Sequence, residues 1–456
     1  MESKQNRYAL PVAMMFALFF SIAFVTGLPS PIGVIIARQF DASVFESQLG
    51  FFANFIAYAF MGIPAGMLLR RIGYKRTALV AIAVGMAGIA IQFLSARVGS
   101  FGLYLTGAFV CGFSLCMLNT VVNPMLNTLG GGGRRGNQLV QFGGVFNSVG
   151  GTLAPMLVGY LMGAEAGRTL ERATPVFLLA LGVFLVVFVV LWFVRIPEPQ
   201  MEVSASRPAQ KRGPFSYRHF VLGIVAIFIY VGVEVGIPST ANLYMTSYTE
   251  LQANELVGQG VSDEESVTPE MISKASRIVS GEESAGLGLP AGLAGTLVGF
   301  YWFLMLVGRL VGGVIGGRVS SRAMLSGAAV LALLLVGGAI VFPSTWSIGL
   351  PEWMGGSRIP VTILLLTLCG LCTSVMWGGI FNLSVAGLGD CTALASGIFM
   401  TMVCGGGILP SLQGYVADLF GYTTSYWVVF AGLLYILYYA LLGSRPVSAE
   451  GATVRK

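Results

Sequence analysis

Long apolar runs separated by short polar or basic connections dominate the chain. A helical crossing of a bilayer core about 30 Å thick needs about 20 apolar residues, and twelve runs reach that length. Six cover approximately 10–37, 48–69, 77–96, 101–126, 138–163 and 174–194. Six more cover 219–247, 292–316, 323–342, 358–386, 393–417 and 421–443. The first run is far longer than the apolar core of a signal peptide, so it is expected to be retained as a crossing. The predicted fold class is an all-α polytopic membrane protein of twelve transmembrane helices in two six-helix bundles.

Two connections are longer than the rest. Residues 196–217, with Pro197, Pro199, Pro208 and Pro214 among basic side chains, read as a cytoplasmic linker between a bundle at 1–195 and a bundle at 218–445. Residues at about 249–291 carry eight acids against Lys274 and Arg277 and read as an external insert, with a helix expected from Pro269 to Ile278. Residues 446–456 form a tail. The halves also echo one another: Pro155-x-x-x-Gly159-Tyr160 recurs as Pro410-x-x-x-Gly414-Tyr415, and Arg71-x-x-x-Lys75 as Arg318-x-x-x-Arg322. Parallel six-helix repeats about an axis along the membrane normal suit alternating access to a site between them.

Composition agrees with this pattern. Charged residues make up 10% of the chain, where a soluble domain carries roughly 25%. The net charge of +6 is scattered between apolar runs, whereas nucleic-acid binding needs a clustered basic face. Lys and Arg concentrate in alternate connections, among them Arg70, Arg71, Lys75, Arg76, Arg134, Arg135, Arg318 and Arg322. Positive residues are retained on the cytoplasmic side, which places both termini there, in a bacterial cytoplasmic membrane.

The six cysteines lie in or at the ends of apolar segments, so a secreted disulfide framework is not expected, and Cys369-x-x-Cys372 reads as helix packing. The single histidine, His219, leaves no basis for a histidine metal site or a His-based triad. No close acid/base pair or nucleophile constellation is present. An enzyme is not expected, nor is a cofactor or metal.

Acids are almost absent from the apolar runs. Glu234 is the exception, in Tyr230-Val-Gly232-Val-Glu234-Val-Gly236-Ile-Pro238, where glycines and a proline weaken the helix near the bilayer centre. A charge at that depth costs about 2.5–3.5 kcal/mol even on insertion scales, so it is expected to face a polar cavity. There it can exchange a proton, bind a cation, accept bonds from substrate hydroxyls or bond a neighbouring helix. Asn119, Asn123 and Asn127 share one helix face at i, i+4 spacing, and Gln138, Gln141, Asn147 and Ser148 continue the uncharged polar series. Such a stripe suits a neutral hydroxylated ligand or holds helices together. Trp377 offers an aromatic face of the kind that stacks on sugar rings, with Asn242, Asn382 and Gln413 as polar partners, while Trp302 sits near a helix end. Arg71 and Lys75, at the basic turn after Pro64-Ala-Gly66, and Arg309 inside a crossing, are gating candidates.

Several stretches together resemble the fucose:galactose:glucose branch of the major facilitator superfamily, including its bacterial glucose/galactose transporters. They are Pro64-Ala-Gly66 through Gly73-Tyr74-Lys75, Asn123-Pro124, Phe146-Asn147-Ser148, Tyr230-Val-Gly232-x-Glu234, Gly308-Arg309, Met376-Trp377 through Phe381, and Gly406-Gly407-Ile408-Leu409-Pro410. The resemblance implies a twelve-helix sugar importer, often proton-coupled, with a central site. Proton-using relatives carry an Asn-Asp pair where this chain has Leu28-Pro29-Ser30-Pro31, a glutamate or glutamine at Asn119, and a glutamine at Gly144. Their usual proton site is therefore missing, which leaves Glu234 as the substitute and makes proton, sodium or no coupling open alternatives.

The leading expectation is uptake of a neutral monosaccharide by a monomeric carrier in the lipid bilayer, coupled to a cation. Asn119, Asn123, Gln141, Asn147, Glu234, Asn242, Trp377 and Asn382 are the candidate sugar ligands, and Glu234 is the candidate coupling group. Efflux of amphipathic molecules and nutrient sensing through the acidic insert are the alternatives.

Overall fold

A computed structural model of the chain describes residues 2–28, 44–162, 173–196, 213–259, 269–282, 284–289, 291–343, 345–349 and 358–445. Pro29, Ser30 and Pro31, most of the expected linker, the centre of the external insert and the tail lie outside those residues, as do the side chains of Pro155 and Tyr160.

The helices are α1 (Glu2–Gly27), α2 (Val44–Val98), α3 (Phe101–Leu129), α4 (Gly133–Met162), α5 (Thr174–Phe193), α6 (Arg218–Thr246), α7 (Glu250–Gln259), α8 (Pro269–Val279), α9 (Ala291–Ile315) and α10 (Ser321–Val341). After a two-stranded ribbon, β1 (Ser347–Gly349) and β2 (Arg358–Pro360), come α11 (Val361–Thr373), α12 (Met376–Ser384), α13 (Thr392–Thr401), α14 (Gly405–Phe420) and α15 (Tyr422–Tyr438). Among the described residues, 10 helical runs are long and apolar enough to cross a membrane. One of them folds back at Gly73, whose φ of 81° and ψ of 177° few L side chains adopt, so α2 is two crossings. With the 30-residue α4 this makes the expected twelve.

The tenth and eleventh runs differ from their sequence reading in detail. The run 358–386 is two helices, α11 and α12, interrupted at Ser374 and Val375 without a proline. The run 393–417 is likewise α13 and α14, joined by a 3-10 turn at Met402–Cys404. The ribbon pairs Ser347 with Pro360 and Gly349 with Arg358, antiparallel.

The outer surface is apolar, as a bilayer requires: Phe193 is 79% and Val341 76% exposed. Inside, Phe177, Phe184, Tyr230, Tyr301, Phe381 and Phe399 are buried. The first six crossings pack together through α1 on α4 and α2 on α3 and α5. The last six pack through α6 on α14 and α15, and α11 on α9 and α10. The two sets meet where α2 lies on α13 and α4 on α9.

The segment read as an external insert is built on the last six crossings. Its helices α7 and α8 form a small core of Ala253, Ala275 and Ile278. The backbone N–H groups of Gly286, Leu287, Gly288 and Leu289 then donate to the carbonyls of Tyr248, Tyr244, Ser247 and Met245, satisfying the last turn of α6 and its continuation. Ser284 Oγ donates to Ala417 O at 2.7 Å, and Ser247 and Tyr422 hydroxyls are 2.8 Å apart, tying the same segment to α14 and α15. The helix expected at Pro269–Ile278 is α8; α7 was not anticipated.

Candidate functional site

A cavity of about 810 Å³ lies between the two sets of crossings. Its walls come from α1 (Phe19, Ile22, Thr26), α2 (Phe55, Tyr58), α3 (Asn119), α4 (Gln141, Asn147, Ser148), α6 (Glu234, Asn242), α9 (Trp302, Arg309) and α12 (Trp377). It extends from Gln141 and Arg309 towards Thr26, Thr152, Asn242 and Gly295, at the helix ends away from the basic turns.

Near the basic turns the sets are packed shut. Gly62 and Gly66 of α2 lie so close to Gly397 and Ala393 of α13 that a Cβ on either glycine would strike backbone, the close approach that small residues allow in membranes. Gln138 covers Gly316 and Gly317 at the end of α9. Asn137 is fully buried; its Oδ1 accepts from Asn382 Nδ2 at 2.8 Å, and its Nδ2 lies 3.4 Å from Met324 Sδ. Sequence reasoning passed over Asn137, although it opens the same amide series as Gln138 and Gln141.

The chemistry centres on α6. Pro238 has no N–H, so it cannot donate to the Glu234 carbonyl one turn earlier, and that acceptor is left over. The Tyr301 hydroxyl of α9 takes it at 3.1 Å and lies 3.0 Å from Thr373 Oγ1 of α11. The Tyr230 hydroxyl, one turn before Glu234, is 2.8 Å from Glu234 Oε1 and 3.0 Å from Thr373 O, sharing one proton between two acceptors. Arg309 Nη2 reaches the same Oε1 at 3.1 Å, with the two side chains 11% and 12% exposed.

Arg309 also spans the interface. Its Nη1 donates to Ser148 Oγ at 2.8 Å, Gly144 O at 3.2 Å and Asn147 Oδ1 at 3.3 Å, all on α4. One guanidinium thus joins Glu234 of the last six crossings to three acceptors of the first six. Two opposite charges taken out of water repay their desolvation only with good geometry and further bonds, and this cluster supplies both. Gly144 leaves the space for it, since a Cβ there would sit 3.1 Å from the Arg309 side chain. Glu234 Oε2 takes no bond from these donors, and Glu234 lines the cavity.

The amide stripe is wired rather than loose. Asn119 Nδ2 donates to Tyr58 Oη at 2.9 Å, leaving the phenol proton for another acceptor. Asn123 lies behind the cavity wall, where its Oδ1 accepts from Trp377 Nε1 at 3.1 Å and its Nδ2 donates to Asn119 O at 2.9 Å. That bond fixes the indole of one set against an amide of the other. Tyr230 and Phe399 meet the same indole edge-on, with centroids 6.3 and 6.2 Å away. Gln141 Nε2 donates to Val375 O, in the break between α11 and α12, at 3.0 Å, and Asn147 Nδ2 to Phe19 O at 3.2 Å. Asn242 lines the cavity with its amide unengaged among the described residues.

The structure therefore brings Asn119, Gln141, Asn147, Glu234, Asn242, Trp377 and Arg309 to one cavity. Asn123 supports it from behind, and Asn382 sits in the packed region below it on Asn137. Lys75 Nζ donates to Trp192 O at 2.7 Å, capping the last turn of α5 within its own set of crossings, and Arg71 is exposed near it. Tyr58, Tyr230 and Tyr301 were missed as site residues. Their i, i+4 and proline relations to other polar groups were readable only for Tyr230 and Glu234.

Comparison with known proteins gives a consistent answer. The family model described as Major Facilitator Superfamily matches residues 14–260. A glucose/galactose transporter of Brucella abortus is 27% identical over 449 residues, covering 97% of this chain and 96% of that one. The L-fucose-proton symporter of Escherichia coli is 24% identical over 450 residues, covering 92% and 90%. The crystal structure of FucP, a Major Facilitator Superfamily transporter in the outward conformation, superposes with a TM-score of 0.71 at 20% identity, covering 95% and 98%. That similarity extends to the twelve-helix fold.

Proposed function

Because the chain belongs to the Major Facilitator Superfamily, we propose that it imports a neutral monosaccharide, glucose/galactose- or fucose-like, by alternating access coupled to a cation, with the proton as that cation. Its relatives' sugar specificities support the substrate class, and the symporter among them supports the proton. The observation that carries the reading is the Glu234–Arg309 pair: the one carboxylate that lines the cavity among the described residues is bonded to the side chain that ties the two sets of crossings together.

The working domains are the bundles 1–195 and 218–445, with the linker 196–217 and both termini in the cytoplasm of a bacterial cell. With the basic turns inside, the cavity opens outward. A sugar enters from that side and stacks an apolar ring face on Trp377. Its hydroxyls accept from Tyr58 and donate to Gln141 Oε1 and Glu234 Oε2, with Asn119 and Asn242 completing the ring of polar partners. Protonation of Glu234 removes the negative charge that holds Arg309 Nη2. Arg309 then keeps only neutral partners on α4, and the link across the interface weakens. The contacts of Asn137, Gln138, Gly62 and Gly66 then part, and the cavity opens on the opposite side. Arg71 and Lys75 act as basic anchors at that gate.

Purified protein in proteoliposomes tests this directly. An inward proton gradient is expected to drive accumulation of radiolabelled D-glucose, D-galactose or L-fucose. Glu234→Gln is expected to abolish accumulation while leaving counterflow exchange partly intact. Failure to transport any hexose, with or without a proton or sodium gradient, rejects the reading. Accumulation that follows sodium alone replaces the proton as the coupling ion.

A further inference from the structure

We propose that Tyr301 is a positioning residue for Glu234, acting by supplying the hydrogen bond that Pro238 removes from the Glu234 main chain. The inference deepens the proposed function and rests on Glu234 being the coupling group.

In an α-helix the carbonyl of residue 234 accepts from the N–H of residue 238. Here residue 238 is proline, so the carbonyl is orphaned inside α6, in a region where an unpaired backbone oxygen is costly. The Tyr301 hydroxyl fills that vacancy from another helix, at 3.1 Å. Its oxygen lies 3.0 Å from the Thr373 hydroxyl, whose one proton is shared between this oxygen and the Cys369 and Gly370 carbonyls at 3.2 and 3.3 Å, and Thr373 O in turn receives Tyr230. The ring of Tyr301 is buried, and Tyr301 and Thr373 both lie within the packed interior, so neither bond is exchanged for water.

The consequence is geometric. The backbone at Glu234 is free of its own helix at the residue whose carboxylate must meet Arg309, and its place is set by α9 instead. Arg309 is two turns further along that same α9. Tyr301 holds the main chain of Glu234 and Arg309 holds its side chain, so one helix grips both ends of the residue. A helix that moved Arg309 without Tyr301, or the reverse, would break the pair.

The test uses the same proteoliposomes, with accumulation, counterflow exchange and detergent melting measured on each variant. Tyr301→Phe removes the hydroxyl and keeps the ring. It is expected to lower gradient-driven accumulation about tenfold, the order of one orphaned buried acceptor, while counterflow persists. Pro238→Ala restores an N–H at residue 238. The double variant Tyr301→Phe with Pro238→Ala is therefore expected to recover most of the accumulation lost in the single variant, a non-additive rescue that loss of packing does not produce. Wild-type accumulation in Tyr301→Phe overturns the proposal, as does a double variant no better than Tyr301→Phe. Loss of counterflow together with accumulation overturns it too, since it marks a residue needed for the fold. Glu234→Gln run beside them separates the two readings. If Glu234→Gln accumulates normally, the coupling role falls and the positioning role with it. If only the Tyr301 variants disagree, the inference alone falls.

Discussion

A lone carboxylate in an apolar run is visible in any sequence, and Glu234 was found that way. Arg309 was also noticed as a charge inside a crossing, but its pairing with Glu234 was not, because the two lie 75 residues apart and no helical period connects them. The same limit hid the Tyr301 contact, 67 residues away, although Pro238 announces that a donor must come from elsewhere. The pair makes a stability prediction. Arg309→Met leaves a buried carboxylate without its cation and is expected to cost about 3 kcal/mol, whereas Arg309→Met with Glu234→Gln is expected to recover most of it. Melting of the detergent-solubilised proteins distinguishes these outcomes. Trp377 makes a binding prediction. Its indole is fixed on both edges and at Nε1, so it presents a preset apolar wall. Trp377→Ala is expected to weaken sugar affinity at least tenfold in counterflow, about 1.4 kcal/mol or more, with smaller loss in Trp377→Phe.

At the scale of the element, the crossings were legible because the bilayer imposes one length and one polarity on each. Helix ends fell within a few residues of the apolar boundaries, as at α6 and α9. The interruption between α11 and α12 carries no proline or run of polar residues and was invisible, as were the three-residue strands and α7. Short elements are fixed by tertiary neighbours rather than by period. Which helix the glycines of α2 touch depends on assembly and was not readable from the sequence. Their contact with α13 sets an expectation for Gly62→Leu. The larger side chain meets Thr401 and the backbone of Gly397, so the packed side cannot close. Hydrogen–deuterium exchange is expected to rise several-fold at residues 133–141, with gradient-driven uptake lost and the fold retained. Unchanged exchange there counts against the gate.

The whole molecule was legible as two repeats of six crossings, because the repeat survives in sequence at the turns and prolines. What the pattern left unresolved was how the halves bond to each other, since the amides, glycines and aromatic groups that do so are individually common. The acidic insert illustrates the difference between noticing a segment and placing it. Its charge suggested a surface, while its roots on α6, α14 and α15 assign it to one half. Replacing residues 251–281 with a short flexible linker, keeping 284–289 to cap α6, is expected to leave sugar uptake within about twofold, since a longer or shorter loop costs little closure entropy. A complete loss of uptake would give the insert a part in transport. Because this compact pair of helices rides on one half, at the ends of α6, α14 and α15, an antibody fragment raised against it would add an asymmetric landmark for aligning particle images without arresting the carrier, so the same grip is kept through every state of the cycle.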